Sequence, residues 1–375
     1  MLRFSSFIFY TLLLVFFAGC SKKIENIPSI SKAMLQETQW DDLKGFEKDN
    51  LNIALDVFKK DCQASKKYEN LEEVCEKSNL TNKPKTFFME NFTPYKLISD
   101  KNSDKGLITG YYEPLLYGNL FQTSRYKYPI YAVPKDLLNI DLSSAYPSLK
   151  NYRLRGKVVG NKVVAYDSRE EIEKIDPRHN TKAKVICYVD NKIDLFFLHI
   201  QGSGNVKLPN GNIINVGYAG QNGRKYYSIG KKLIKEGHVS RKDMSLQAIR
   251  KWLLENPERV DEILNLNQSY IFFNQSSKTA TGSLGTELVA NRNLAVDRKY
   301  IPLGYPVFIN TTNPINKKEI NQLMVAADTG GAIKGEIRAD FFFGNGILAE
   351  ELAGKMKQSG KLYIFIPNKL NNTKD

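Results

Sequence analysis

Three aspartates stand in one C-terminal block of this chain. Ala295 to Ile309 reads AVDRKYIPLGYPVFI, and Met324 to Gly346 reads MVAADTGGAIKGEIRADFFFGNG. Asp297, Asp328 and Asp340 fall among glycines and β-forming residues, without a histidine in the block. Alternating runs such as Pro306 to Ile309 and Leu323 to Ala327 predict short strands. Gly330, Gly331 and Gly335 permit tight turns between them. Asp328 and Asp340 would then sit at strand ends facing one cleft, where carboxyl groups can donate and accept protons. The plainer alternative is three turn aspartates solvating the rim of a barrel.

Other catalytic sets are hard to assemble. The histidines are His179, His199 and His238, and no serine–histidine–aspartate set or nucleophile elbow has a suitable spacing. His199, in FFLHIQGSG, reads as one position of an alternating strand and as structural before catalytic. GSGNVKLPNG has glycines but lacks the strand–helix setting of a phosphate loop. No Cys or His spacing suits zinc, so neither metal nor cofactor is expected. What remains is carboxylate chemistry lined by polar and aromatic groups. Tyr111, Tyr112, Tyr218, Tyr226 and Tyr227 can stack on sugar faces, and Gln201, Ser203 and Asn222 can bond hydroxyl and N-acetyl groups. Glu113 is the other carboxylate near these motifs and serves as a control.

These residues need a β-rich frame. Ala33 to about Asn79 reads helical, with Trp40, Leu43 and Phe46 at helical spacing. Strands are expected at Leu107–Pro114, Tyr128–Val133, Lys184–Asp190, Asp194–Gln201 and Tyr270–Phe273. Gly160-Asn161 marks a hairpin turn within Lys157–Val164. GSGNVKLPNGN reads as turns. Helices are expected at Ser168–Lys174, up to Gly237, at Ser245–Glu255, after Asn256-Pro257, and at Ile347–Lys357; Leu362–Pro367 closes the pattern as a strand. Helices interrupt β segments irregularly, which argues for a mainly β fold with added helices over a doubly wound sheet.

The N-terminus reads as a targeting segment. Arg3 precedes an apolar run, Phe7 to Phe17, broken only by Thr11 and followed by Ala18, Gly19 and Cys20. This pattern describes a signal peptide over 1–19, too short to span a membrane comfortably. Cys20 after Ala-Gly resembles a bacterial lipobox, which implies lipidation at Cys20, a linker to residue 32, and sorting through Ser21 to the outer membrane. The net charge of +14 favours anionic polymers. Nucleic acid is the reflex choice, but an exported lipoprotein rarely meets it. An oxidising compartment permits a Cys62–Cys75 bridge between two helical stretches, while Cys187 in VICYV reads as a buried small side chain.

A set of long collinear motifs then becomes specific. TGYYEP (109–114), FFLHIQGSG (196–204) and GYAGQNGRKYYSIGKKL (217–233) are joined by MSLQAIRKWLLENP (244–257) and NQSYIFF (267–273). AVDRKYIPLG (295–304) and DTGGAIKG (328–335) complete the series. Over about residues 100 to 367 the chain resembles the membrane-bound lytic murein transglycosylase A family, with its C-terminal three-aspartate domain. The resemblance implies a double-psi β-barrel domain carrying an inserted second β-barrel domain, with a groove between them. On this chain the main domain would take 33–113 and 199–368, and the insert 114–198. It further implies cleavage of the β-1,4 bond between N-acetylmuramic acid and N-acetylglucosamine, giving a 1,6-anhydro product. Asp340 would be acid and then base, and Asp328 would support it; Asp297 would be structural. Thr109, Tyr111, Gln201 and Ser203 would bind glycan, and Lys334 a lactyl or peptide carboxylate. The partners implied are peptidoglycan strands and the outer membrane, for a monomer on its periplasmic face. A non-catalytic wall-binding lipoprotein and a conventional muramidase remain the alternatives.

Overall fold

The computed structural model describes residues 34–65, 71–149, 152–276 and 280–368. The expected leader, the lipidation site Cys20 and the linker up to residue 32 lie outside them. No helix among the described residues is long and apolar enough to cross a membrane.

The chain opens with β1 (Leu35–Glu37), α1 (Leu51–Ser65), α2 (Glu72–Asn79) and α3 (Pro84–Asn91), then β2 (Phe92–Leu97) and β3 (Gly106–Glu113). Next come β4 (Leu115–Asn119), β5 (Tyr128–Tyr131), β6 (Leu138–Ile140), β7 (Leu154–Val159), β8 (Lys162–Ala165), α4 (Arg169–Glu173) and β9 (Val185–Val189). The middle continues with α5 (Lys192–Gln201), β10 (Ser203–Lys207), β11 (Ile213–Gln221), α6 (Ile229–Lys235), α7 (Leu246–Glu255), α8 (Val260–Asn265) and β12 (Ile271–Ser276). The end holds β13 (Asn293–Val296), β14 (Pro306–Thr312), β15 (Glu319–Asp328), β16 (Arg338–Asn345), α9 (Ile347–Lys355) and β17 (Lys357–Pro367).

One sheet runs β1-β2-β17-β14-β15-β13-β16-β3, and β17 also pairs with β3. Six strands thereby close into a ring. Its strands are buried apolar segments: every residue of β13 is buried, as are Val307, Phe308 and Ile309 of β14 and Leu323 to Ala327 of β15. Such runs read as strands covered on both faces. β13 lies parallel to β15 and antiparallel to β16, and β16 lies parallel to β3.

The N-terminal helices clamp this ring. Phe58, Phe87, Phe88 and Phe92 form a buried aromatic cluster, and Phe88 reaches Phe365 of β17. A disulfide joins Cys62 of α1 to Cys75 of α2. Beside it, Asp61 is wholly buried and accepts hydrogen bonds from Thr286 Oγ1 (2.6 Å) and Asn293 Nδ2 (2.8 Å). Asp49 accepts from both Arg292 terminal nitrogens, at 3.0 and 2.8 Å, and from the Leu323 amide at 2.7 Å. Two aspartates of the N-terminal region therefore grip the entry to β13 and the flank of β15.

A second sheet runs β12-β11-β10-β4-β9-β5 around Leu116, Ile130, Cys187, Val189, Val206, Val216 and Phe273. Its edge strands β12 and β5 lie side by side without pairing, so among the described residues it curls without closing by hydrogen bonds. A three-stranded sheet, β6-β7-β8, accompanies it.

Four expectations differ from this picture. The start of the segment read as helical, residues 34–50, holds β1 and two short 3-10 turns, Trp40–Asp42 and Phe46–Lys48, before α1 begins. The insert placed at 114–198 is too short, because β10 pairs in parallel with β4 (Asn205 against Leu115) and carries β11 and β12 into the same sheet. The stretch read as turns is the β10–β11 hairpin, whose turn itself is closed by Leu208 N–H bonding to the Asn212 carbonyl at 2.8 Å. Asp194–Gln201, read as a strand, is most of α5. Asn191 caps that helix by accepting from the amides of Ile193 (2.9 Å) and Asp194 (3.1 Å), and Gly202 ends it at φ +82°. Leu195 to His199 are buried at five consecutive positions, and such a run has no periodicity that separates strand from helix.

The disulfide closes a loop with a sequence separation of 13. Replacing both cysteines by serine is expected to cost about 3 kcal/mol by loop entropy, read as a lowered urea midpoint. An unchanged midpoint would show that the aromatic cluster alone holds α1 and α2.

Candidate active site

The ring aligns four residues on four adjacent strands. Ala295 of β13 stands opposite Asp328 of β15 on one side and Asp340 of β16 on the other, and Asp340 stands opposite Thr109 of β3. With strands about 4.8 Å apart, the two aspartate backbones are separated by roughly 10 Å. The residue between them is an alanine, so no bulky side chain fills the space.

Asp340 is 18% exposed and pairs with Arg338, 13% exposed, through Nη1 to Oδ1 at 3.2 Å. Burial raises its carboxyl above the ordinary range; Arg338 opposes this, and the charge of Asp328 adds to it. Asp328 is tied differently. Its Oδ1 accepts from Ser283 N (2.9 Å), Ser283 Oγ (2.8 Å) and its neighbour Thr329 N (2.8 Å). Burial raises this carboxyl too, and those donors pull it back. Tyr111 packs on Phe342 with ring centroids 5.0 Å apart, and its buried hydroxyl lies near Asp328, outside good hydrogen-bonding geometry. Burial first, then the charges of Asp328 and Asp340, hold its phenol well above the usual range. A carboxyl that burial makes slower to give up its proton, beside a second carboxyl anchored by three donors, can act as a general acid and later accept a proton back.

The other candidates separate into three groups. Thr109 stays in the row, with Oγ1 accepting from Arg338 Nη2 at 2.8 Å. Gln201, at the end of α5, accepts the Tyr112 amide at 3.2 Å through Oε1, and partly exposed Ser203 begins β10. Lys334 is exposed on the loop between β15 and β16. Asp297 stands apart: its carboxylate receives the amides of Lys299 (3.2 Å) and Gly335 (3.0 Å), a turn-pinning role that matches its structural reading.

Three residues offered for sugar contact or strand alternation are structural. Asn222 is buried, donating to the carbonyls of Asp167 and Gln268 at 2.8 Å each and accepting the Tyr270 amide at 3.0 Å. Tyr112 is buried at 4% exposure, whereas Tyr218, Tyr226 and Tyr227 are exposed. His199 is buried in α5, with Nδ1 2.9 Å from Arg169 Nη1; burial and that cation hold it well below its ordinary value, hence neutral. Among the described residues, no group of three His, Cys, Asp or Glu is arranged to hold a metal ion.

Sequence reading missed Arg338 and Ser283. Arg338 had a usable signal, because residues two apart on a strand share a face. Ser283 had none, since a loop 45 residues before Asp328 in sequence is brought there only by the folded ring.

Comparison with known proteins agrees with this architecture. Residues 107–274 match the family model described as the MltA specific insert domain, and residues 292–366 match the 3D domain. The membrane-bound lytic murein transglycosylase A of Escherichia coli K12 is 32% identical over 265 residues, covering 68% of this chain and 64% of that protein. The chain thus spans just under two-thirds of that relative's length. The crystal structure of MltA from Neisseria gonorrhoeae superposes with a TM-score of 0.78 at 33% identity, over 90% of this chain and 93% of its own. E. coli MltA with bound chitohexaose superposes with a TM-score of 0.66 at 26% identity, over 85% and 91%.

Glu113 provides a test of the electrostatics. It is 2% exposed, and burial raises its carboxyl despite donors from Asn205, Asn345 and the Ala280 amide. With a raised folded value, its favourable contribution is complete below the ordinary glutamate range and is lost as pH rises through the folded value. Glu113→Gln keeps the neutral form at every pH. The variant should gain on the wild type as pH rises above the ordinary glutamate range, by about 1.4 kcal/mol per unit of displacement, in urea unfolding. A pH-independent difference would contradict this.

Proposed function

The chain belongs to the membrane-bound lytic murein transglycosylase A family, and from that premise we propose that it cleaves peptidoglycan glycan strands without hydrolysis. The bond is the β-1,4 link from N-acetylmuramic acid to N-acetylglucosamine. Asp340, protonated, gives its proton to the glycosidic oxygen; the C1–O bond breaks and its electron pair leaves with that oxygen. Positive charge gathers on C1 and the ring oxygen, where the Asp328 carboxylate offsets it. The muramoyl C6 hydroxyl then bonds to C1 as Asp340 takes its proton. The product is a 1,6-anhydro ring, no water is consumed, and Asp340 ends protonated as it began.

The observation that carries this reading is the Asp328–Ala295–Asp340–Thr109 row, in which two carboxyls raised by burial are held apart and only Asp328 is anchored by three donors. Ordinary glycosidases need two working carboxyls because water or the enzyme supplies the nucleophile. Here the nucleophile is tethered within the substrate, so one acid–base group suffices. The six-stranded ring with mixed parallel and antiparallel pairs suits a double-psi barrel. The groove between the ring and the second sheet would seat the glycan on Thr109, Tyr111, Gln201 and Ser203. Lys334 would meet a lactyl or stem-peptide carboxylate. The chitohexaose bound by the E. coli relative supports a sugar-polymer ligand. The lipid at Cys20 would hold a monomer to the periplasmic face of the outer membrane, away from nucleic acid.

Purified sacculi incubated with the lipid-free protein, Ser21 to Asp375, should release muropeptides one water lighter than hydrolysed ones in mass spectrometry. Asp340→Asn should lower release by about a thousandfold or more with the fold intact. Hydrated products would establish a muramidase, and bound protein without products a binding module. Full activity in Asp340→Asn would move the acid elsewhere, first to Glu113.

A further inference from the structure

The Arg338 side chain is fixed by acceptors other than the aspartate it pairs with. Nη1 gives its shortest contact to the Ala339 carbonyl at 2.6 Å, reaches Asp340 Oδ1 at 3.2 Å and touches the Leu107 carbonyl at 3.5 Å. Nη2 donates to Thr109 Oγ1 at 2.8 Å. Only one nitrogen meets Asp340, on one oxygen. Arginine more often grips a carboxylate with both arms, and here the second arm is committed across the strand boundary to β3.

We propose that Arg338 is a positioning residue for Asp340: it holds Oδ1 with a single N–H, so that Oδ2 is the oxygen that carries and returns the proton. The inference rests on the reading of Asp340 as the acid. A guanidinium has donors and no acceptor, so an oxygen facing it cannot direct a proton that way. The neutral form of Asp340 therefore keeps its hydrogen on Oδ2. After the proton leaves, the same N–H stabilises the anion. A two-armed grip would strip the proton too readily for an acid. No cation at all would leave a carboxyl too reluctant to ionise. Thr109 decides between these states by occupying Nη2. The charged and titratable groups facing Asp340 are Arg338 on its own strand, Asp328 on β15 and Tyr111 on β3. Of these, Arg338 alone is a cation.

The test is the initial rate of muropeptide release from sacculi across pH, where the substrate titrates identically in every arm. Activity falls at high pH as the acid loses its proton. Arg338→Gln should move that fall to higher pH by about one unit, and Arg338→Lys should return most of the shift. Thr109→Val should move it to lower pH, because the freed Nη2 turns to Asp340. That variant carries the test if Arg338→Gln fails to fold by circular dichroism. Profiles of folded Arg338→Gln or Thr109→Val that overlay the wild type overturn the proposal. Asp340→Asn separates the two ideas: if it is inactive, such overlays condemn only the role of Arg338. If it stays active, the reading of Asp340 falls first.

Discussion

Cross-strand register is the constraint on which the site depends. Ala295 must stand opposite both Asp328 and Asp340. A slip of one residue in any of these strands would turn a carboxyl to the other face of the sheet. The interior of the ring forbids such a slip, because Leu294, Val296, Ala339 and Phe341 are buried on the strands that bear the row. Apolar burial therefore fixes where two charges lie. A wider residue at 295 would fill the gap that keeps them apart.

The N-terminal region extends that control. Asp61 holds Asn293, the first residue of β13, and Asp49 holds Arg292 and the β15 backbone at Leu323. Both carboxyl groups are taken from solvent with each oxygen accepting a hydrogen bond, which is how a buried polar group becomes tolerable. Asp61 also bonds Thr286, in the loop that carries Ser283 to Asp328. Helices that carry none of the sequence motifs thus reach the row through two hydrogen bonds joined by the 283–286 loop.

Much of this was legible in the sequence, for identifiable reasons. Ser245 and Ser168 announce their helices because a hydroxyl caps free amides, and each does so here at Ala248 and Glu171. Gly160 marks its hairpin because φ is +59° there. Asp328 and Asp340 stand out as carboxyls beside glycine turns and β-formers. The remainder depended on contacts distant in sequence. Only the flanking Asn191 and Gly202 distinguish α5 from a strand, since FFLH is buried at four consecutive positions and shows no periodicity. The true extent of the second sheet rests on β10 choosing β4, a parallel pairing across some ninety residues. Asn222 looked like a sugar contact because its type suits that task, yet the fold uses all its bonds internally.

One feature of the chain path has a mechanical meaning. β3 ends at Glu113 and β4 begins at Leu115, so Pro114 alone separates a strand of the ring from a strand of the second sheet. Proline fixes its φ, and its carbonyl is tied to the Asn205 amide at 2.8 Å. Domain hinges use backbone free to change, and here one φ is fixed and one carbonyl is tied. On the proposed function, a pull on a glycan strand seated against the second sheet would reach Thr109 and Tyr111 through this short crossing into β3.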